Sequence, residues 1–227
     1  MNRDEIWAAY AEQKERTVQL LEQLDPAEWN HPTLCDRWTV RDLAGHLTMQ
    51  GMTPGDIART LAQPRLLAAA FGGTNKLICE MGKARGRAPI DRLLNQIREN
   101  GATRRVNPGL TEQHALVDIV VHSQDLAIPL GRTLPIEPAT AGLAADRIIA
   151  DLGTRIANVM VDLGVGRYQL VASDLDWSRG TGPLVQGPIT SLLMLVAGRS
   201  AALEELSGPG AEELRRAATP DRSRTLP

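Results

Sequence analysis

The stretch PTLCDRWTVRDLAGHL, residues 32–47, carries the signals that decide the fold. Thr39 is a residue type that caps helix N-termini, and Asp42, three residues later, suits the positively polarised first turn of a helix. We expect this helix to run to about Gln50. Its apolar side consists of Val40, Leu43, Ala44 and Leu47. His46 lies at the edge of that apolar side, so the sequence predicts a helix that carries a histidine beside a buried surface.

A second informative pattern lies further along the chain, where residues 111–128 predict the best-defined helix of the N-terminal half. Four polar residues recur at helical spacing and fall within roughly an 80° arc, namely His114, Asp118, His122 and Asp125. A polar stripe on a helix is often only its solvated face. Here most other positions of the helix are apolar, which favours burial on most sides and a stripe that faces an internal cavity.

Two members of this stripe have the spacing of metal ligands. Asp118 and His122 are one helical turn apart, so a carboxylate oxygen and an imidazole nitrogen can converge on one cation. A third ligand must come from another segment, and His46 is the natural candidate, although a single histidine beside an apolar face is more often a structural residue. Two histidines and one carboxylate suit zinc, and also iron, nickel or manganese.

Other polar residues near these motifs leave alternatives open. His114 is either a fourth ligand, a proton shuttle or a solvated residue, and Asp125 either hydrogen-bonds a ligand imidazole or pairs locally. Cys35 lacks a base nearby in sequence, which favours a structural, partly buried thiol, and Cys79 has a weaker case for chemistry. His31, in a loop, is expected to be exposed.

The remaining chain predicts a mainly α protein with two domains. Helices are expected at residues 1–24, 56–70 with a break at Pro64, 76–81 and 91–100, with GKARGRAP, residues 82–89, as a solvated loop. The stretch TLPIEPAT, residues 133–140, contains Pro135 and Pro138 and marks a boundary. Beyond it we expect a helix at 139–163, a hairpin of 167–173 with 182–187, an apolar helix at 189–206 and a charged tail at 211–227. The prediction is a four-helix bundle, residues 1–133, followed by a small α+β domain, residues 139–227.

Composition excludes several classes of function. The 227 residues include 25 Lys and Arg against 27 Asp and Glu, a formal net charge of −2, which argues against a broad basic surface for nucleic acid. No apolar run approaches the ~18 residues of a membrane span, and the charged N-terminus does not resemble a signal peptide. Two cysteines suit a reducing compartment. We therefore expect a cytoplasmic monomer or homodimer with no nucleic-acid or membrane partner.

The quoted stretch at residues 32–47 is similar to a signature of the mycothiol-dependent maleylpyruvate isomerase family, in the wider superfamily of DinB-like metal-binding helical bundles. The stretch DIVVHSQDLAIPLG, residues 118–131, resembles the second signature of that family, in which an acidic residue precedes a histidine by four positions. A weaker match is LLMLVAGRSAAL, residues 192–203, which is similar to an apolar helix in the family's C-terminal domain.

This resemblance implies a DinB-like bundle that binds a divalent metal, usually zinc, through His46, Asp118 and His122, with mycothiol as thiol cosubstrate. It also implies that Arg199 acts near the substrate. Two positions depart from the family pattern. Asp118 stands where glutamate is common, and this shorter side chain can loosen coordination or change the metal. Arg37 stands where glycine is frequent.

Three functions are consistent with these residues. The first is a thiol S-transferase or cis-trans isomerase, in which a metal-activated thiolate attacks a small electrophilic substrate. Arg199 would neutralise a substrate carboxylate. The second is a noncatalytic bundle that binds a metal or ligand, and the third is a metal-dependent hydrolase that uses bound water.

Overall fold

The computed structural model describes residues 1–154 and 161–218, and the chain separates into two compact units, Met1–Ile136 and Glu137–Pro227. The first unit is helical, and the second combines helices with a small sheet. The predicted fold class is therefore confirmed. None of the described helices is both long and apolar enough to cross a lipid bilayer.

Seven α-helices make up the described secondary structure of the first unit, apart from one short 3-10 turn. They are α1 (Arg3–Glu22), α2 (Val40–Leu47), α3 (Pro54–Leu61), α4 (Pro64–Phe71), α5 (Thr74–Gly86), α6 (Ile90–Ala102) and α7 (Glu112–Ala127). Helices α1, α2, α6 and α7 pack against one another around a core that includes Val18, Leu43, Ile97 and Leu116, all fully buried. Helix α5 packs on α2.

Helices α1 and α7 lie side by side with the same direction. Arg3 Nε lies 3.9 Å from Glu112 Oε2 near the start of both helices. Ten residues further along α1, Gln13 Nε2 donates to Ser123 Oγ at 2.9 Å. The two helices therefore run parallel, and residues near Tyr10 in α1 lie at about the same level along the helix axis as residues near Asp118 in α7.

The N-terminus of α2 forms as the sequence predicts. Thr39 Oγ1 accepts from Asp42 N, and Asp42 Oδ2 accepts from Thr39 N at 3.0 Å, which is a reciprocal capping box. The helix is shorter than expected, since it ends at Leu47 rather than near Gln50. Just before it, Arg37 has φ 64°, a conformation that glycine adopts with less strain than other residues.

The glycine-rich segment at residues 82–89 is not the solvated loop that the sequence predicts, because α5 continues through it to Gly86. The reason is tertiary packing. A methyl group added to Gly45 would lie 2.3 Å from the carbonyl oxygen of Gly82 and 2.4 Å from the backbone nitrogen of Gly86. The glycines let the backbones of α2 and α5 touch, so this contact outweighs the low helix propensity of glycine.

The second unit contains α8 (Pro138–Asp151), β1 (Gln169–Ala172), β2 (Ser178–Arg179), β3 (Leu184–Gly187), α9 (Ile189–Val196) and α10 (Pro209–Ala218). The sheet order is β2-β1-β3, with β1 antiparallel to β2 and parallel to β3. The predicted hairpin of residues 167–173 with 182–187 is therefore wrong. The hairpin partner of β1 is the short strand β2, and the chain then crosses β1 to place β3 on the other edge.

Three helix lengths in this unit also differ from prediction. Helix α8 ends at Asp151, before Gly153 with φ 79°, and residues 155–160 of the predicted helix lie outside the described residues. Helix α9 ends at Val196 because Gly198 takes φ 84°, and residues 200–205 form a 3-10 turn. The predicted tail begins as helix α10, and residues 219–227 lie outside the described part of the chain.

Candidate metal centre

Three side chains from α2 and α7 converge in the first unit. His46 Nε2 lies 3.1 Å from Asp118 Oδ1, and His122 Nε2 lies 3.6 Å from the same oxygen. A tetrahedral zinc with bonds of about 2.0–2.1 Å to nitrogen and oxygen separates neighbouring ligand atoms by about 3.3 Å. The observed distances bracket that value, so the donor set fits a small divalent cation. The structure brings together the three residues predicted as metal ligands, and their role as ligands stays a prediction.

A buried carboxylate orients His122 through Nδ1, the ring nitrogen that does not face Asp118. Its Nδ1 lies 2.9 Å from Asp125 Oδ2, and the Asp125 side chain is fully buried. A hydrogen bond from Nδ1 to a carboxylate fixes the tautomer of a metal-binding histidine and leaves the Nε2 lone pair for the metal. Of the two interpretations that the sequence left open for Asp125, the structure shows the hydrogen bond to the imidazole of a candidate ligand.

Cys35 belongs to the same network, which sequence reasoning missed. Its thiol donates to Asp125 Oδ2 at 3.1 Å, and its sulfur lies 3.6 Å from His122 Nδ1. The residue is half-buried, as expected of a structural thiol. The signal for this contact was absent from local sequence, because the loop that carries Cys35 meets α7 ninety residues later in the chain.

Apart from the contact of its Nε2 with Asp118, packing rather than hydrogen bonding orients His46. Its ring lies on Trp38, with ring centroids 5.0 Å apart, and meets the His122 ring edge-on at 4.8 Å. On its other side, a methyl group at Gly82 would lie 3.5 Å from His46 Cβ. Within the described part of the chain, the buried Nδ1 of His46 has no hydrogen-bond partner. The close α2–α5 crossing therefore sets the position of this ring.

Asp118 is the most accessible member of the three. About a third of its side chain is exposed, at 35%, compared with 13% for His46 and 15% for His122. Burial opposes ionisation of this carboxyl, but the charge and hydrogen bond of His46, together with the charge of His122, hold the pKa of Asp118 below its usual value. The carboxylate is thus ionised at neutral pH and available to a cation.

Two buried residues of α1 are influenced by the charge of Asp118, and sequence reasoning missed both. Lys14 is 3% exposed, and its Nζ donates to the hydroxyl of Tyr10 at 3.3 Å. Burial lowers the pKa of Lys14 to about 8, an effect partly offset by the negative charge of Asp118. Burial and the same charge raise the pKa of Tyr10. The helical pattern of residues 1–24 gave no reason to treat Lys14 differently from a surface lysine.

The other residues that the sequence singled out lie elsewhere. His114 belongs to the cap of α7, where its Nδ1 accepts from Thr111 N at 3.0 Å, and it is not among the described residues that group as metal donors. His31 is exposed, as expected. Cys79 accepts from Trp38 Nε1 at 3.2 Å, a structural contact. Arg199 lies in the second unit, at the start of the 3-10 turn, and its Nη1 donates to the Ala197 carbonyl at 2.5 Å.

Comparison with known families places these residues in context. A family model described as the mycothiol maleylpyruvate isomerase N-terminal domain matches residues 10–127. This range is more than half of the 227-residue chain. The chain belongs to the mycothiol maleylpyruvate isomerase family. This match confirms the family predicted from sequence, and the matched range contains all three candidate ligands.

Two solved structures show the same fold as this family member. They are the mycothiol-dependent maleylpyruvate isomerase, with a TM-score of 0.56, and a single-substitution mutant of that enzyme, with a TM-score of 0.57. In each comparison the identity is 14%, and the match covers 93% of this chain and 94% of the other. A comparison with curated proteins gives no match. The structural likeness therefore extends over both units of the fold.

Proposed function

We propose that this protein is a metal- and mycothiol-dependent enzyme that adds a thiol to a small electrophilic substrate, as an isomerase or an S-transferase. The observation that carries the proposal is the convergence of His46, Asp118 and His122 at distances that suit a tetrahedral cation. These residues lie within the domain that matches the isomerase family. Three protein ligands leave one position for a further ligand, which is typical of catalytic rather than structural zinc sites.

The metal we propose is zinc, held by His46 Nε2, His122 Nε2 and Asp118 Oδ1. When bound, such a cation lowers the pKa of a thiol that coordinates it. The protein supplies the remaining requirements. Asp125 keeps the proton of His122 on Nδ1, the contact with Trp38 holds the ring of His46, and the partial exposure of Asp118 leaves the site open to a small molecule.

The thiolate sulfur then adds to a conjugated cis double bond, and the π electrons move onto the adjacent carbonyl. Rotation about the new single bond, followed by loss of the sulfur, gives the trans product. If the carbanion takes up a proton instead, the thioether remains and the reaction is a transfer. In both cases negative charge develops on the substrate, which a nearby cation stabilises. We propose that Arg199 supplies that cation to a substrate carboxylate.

Thiol dependence tests the proposal. The purified protein, loaded with zinc, is assayed with mycothiol and an electrophilic reporter, beside His46→Ala and the exposed control His31→Ala. We expect activity that requires both metal and thiol, a loss of at least a hundredfold in His46→Ala, and no change in His31→Ala. Hydrolysis of an ester reporter without thiol would instead indicate the hydrolase. Metal binding with neither activity would leave a noncatalytic bundle.

Arg199 is tested separately, because its role concerns the substrate rather than the metal. Arg199→Ala is expected to keep the zinc content of the wild type and to raise KM for a substrate that carries a carboxylate. With an uncharged electrophile the variant and the wild type are expected to react alike. Equal losses with both substrates would show that Arg199 has a structural role.

A further inference from the structure

Lys14 is a buried cation that the proposed metal site does not use. Burial of an ammonium group is costly unless a carboxylate pairs with it. Across the described residues no carboxylate lies within ion-pair distance of Lys14, and its Nζ has the Tyr10 hydroxyl at 3.3 Å and the face of the Tyr10 ring, with the centroid at 5.3 Å. A lysine held in this way is suited to acid–base chemistry, because its neutral form is accessible near neutral pH.

The register of the helices places the Lys14 amine near the level of Asp118 along the helix axis. The pairs Arg3–Glu112 and Gln13–Ser123 show that Tyr10 lies level with Asp118. Long side chains on helices point towards the helix N-terminus. The Lys14 side chain follows this rule, since its amine contacts Tyr10 one turn earlier. The amine therefore lies near the level of Asp118, whose charge acts on both Lys14 and Tyr10.

The charged groups around Lys14 leave Asp118 as its main electrostatic partner. On its own helix the neighbour is Tyr10, and from α7 the charge of Asp118 acts on it. From α6, the guanidinium of Arg98 is engaged by Glu15 at 3.1 Å and by Glu22 at 2.7 Å, on the partly exposed side of α1. A change of charge at Asp118 therefore acts on the Lys14 amine.

We propose that the Lys14 amine, held by the Tyr10 hydroxyl level with Asp118, accepts the proton that the thiol releases when it binds at the His46–Asp118–His122 site. This inference rests on the proposed function. In the step, the S–H bond breaks, the electron pair stays on sulfur, and the proton forms an N–H bond with neutral Lys14 to give the ammonium ion. No other reactant is needed. Lys14 returns the proton to sulfur when the thiol leaves.

Charge balance supports this assignment. A divalent cation is neutralised by the carboxylates of Asp118 and Asp125, so the loaded site favours a neutral Lys14. Binding of the thiol as an anion adds one negative charge to a mostly buried site, where an unbalanced charge is costly. Protonation of Lys14 restores neutrality. The pKa of Lys14 is about 8 without a metal, so a fraction of the amine is already neutral near neutral pH. A cation bound nearby lowers this pKa further and increases that fraction.

Proton release on thiol binding tests the proposal without any turnover. Cobalt(II)-loaded protein is titrated with mycothiol at pH 7, and the sulfur-to-cobalt absorption band reports coordination. Calorimetry in two buffers of different ionisation enthalpy then counts the protons released per thiol bound. We expect about zero protons for the wild type and about one for Lys14→Met. Thiol affinity at pH 7 is expected to fall about tenfold in Lys14→Met and to recover as pH rises.

Two further variants distinguish proton acceptance by Lys14 from an effect of its positive charge and from an effect on folding. Lys14→Arg keeps the positive charge but cannot accept a proton, so we expect it to release about one proton as well. Lys76→Met removes an exposed lysine and is expected to behave as the wild type. Cobalt content and the thermal unfolding midpoint check that each variant is folded and loaded.

The outcomes are distinguishable. If the wild type coordinates the thiol and releases a full proton, Lys14 is not the acceptor, and the proposed function stands without it. If the wild type shows no sulfur-to-cobalt band, the proposed function and the role of Lys14 are both overturned. If Lys14→Met coordinates the thiol with no proton release, another group accepts the proton and the assignment is wrong.

Discussion

At the scale of single residues, different contacts orient the two histidines of the candidate metal centre. His122 is held by a hydrogen bond to buried Asp125, whereas His46 is held by its contact with Trp38 and by the backbone crossing beneath it. A hydrogen-bonded ligand keeps its orientation when its surroundings relax, while a packed ligand depends on its neighbours. The two ligands are therefore expected to respond to different substitutions.

Asp125→Asn tests the orientation of His122. The amide retains the shape of the carboxylate but removes its charge, so Nδ1 is less strongly held as the donor. We expect the affinity for zinc to fall by about 10- to 100-fold, measured by competition with a chelator. Cys35→Ser, which keeps a donor to Asp125, is the matched control and is expected to change the affinity less than threefold. An unchanged affinity in Asp125→Asn would show that this hydrogen bond does not tune the site.

Lys14 is expected to make stability depend on pH in a known direction. Its pKa is about 8 in the folded state and 10.5 for the free side chain, so between these values the unfolded state binds more protons. Stability of the metal-free protein therefore rises with pH in this window. Relative to Lys14→Met, we expect the free energy of unfolding to increase by about 2 kcal/mol from about pH 7 to about pH 9.5. Urea unfolding at each pH measures this, and parallel curves would contradict it.

At the scale of elements, the crossing of α2 and α5 positions His46. Glycines at positions 45, 82 and 86 allow the two backbones to touch, and one of them lies against the β-carbon of His46. This crossing also explains the wrong prediction for residues 82–89. Glycine and arginine together indicate a loop when only local propensity is considered, but here the glycines are needed because no side chain fits between the helices.

Gly45→Ala tests this crossing. The added methyl group meets backbone atoms of α5 at 2.3 and 2.4 Å, so the helices must separate and His46 must move. We expect a loss of about 1–3 kcal/mol in the free energy of unfolding, measured by urea denaturation, together with weaker zinc binding. Gly55→Ala is the matched control in helix α3, because its methyl group would meet only Thr53 Oγ1 at 3.6 Å. Normal zinc binding in Gly45→Ala would show that His46 does not depend on the crossing.

At the scale of the whole molecule, all donors of the candidate metal centre lie in the first unit, Met1–Ile136. Arg199 lies in the second unit. Metal binding and the proposed substrate contact are thus assigned to separate compact parts of one chain. This division predicts that the two properties can be separated experimentally.

A fragment of residues 1–136 tests that division. It contains α1 to α7 and the buried core around Leu43 and Leu116, so we expect it to fold by itself. We expect it to bind one zinc ion with an affinity within about threefold of the full chain, as measured by chelator competition, and to lack the substrate-dependent activity. A helical fragment without zinc affinity would show that the second unit completes the metal site.

The sequence by itself determined the family, the mainly helical fold and the pairing of Asp118 with His122, and it offered His46 as the candidate third ligand. The helix starts and the shared face of α7 follow from local patterns, since a capping box starts α2 and residues one turn apart lie on the same side of a helix. Only the tertiary structure decided the rest. Four features join segments that are distant in sequence. They are the contact of Cys35 with Asp125 and His122, the position of Lys14 level with Asp118, the glycine-lined crossing of α2 and α5, and the parallel pairing of β1 with β3. Such contacts depend on which backbones can approach closely, and local pattern does not encode that.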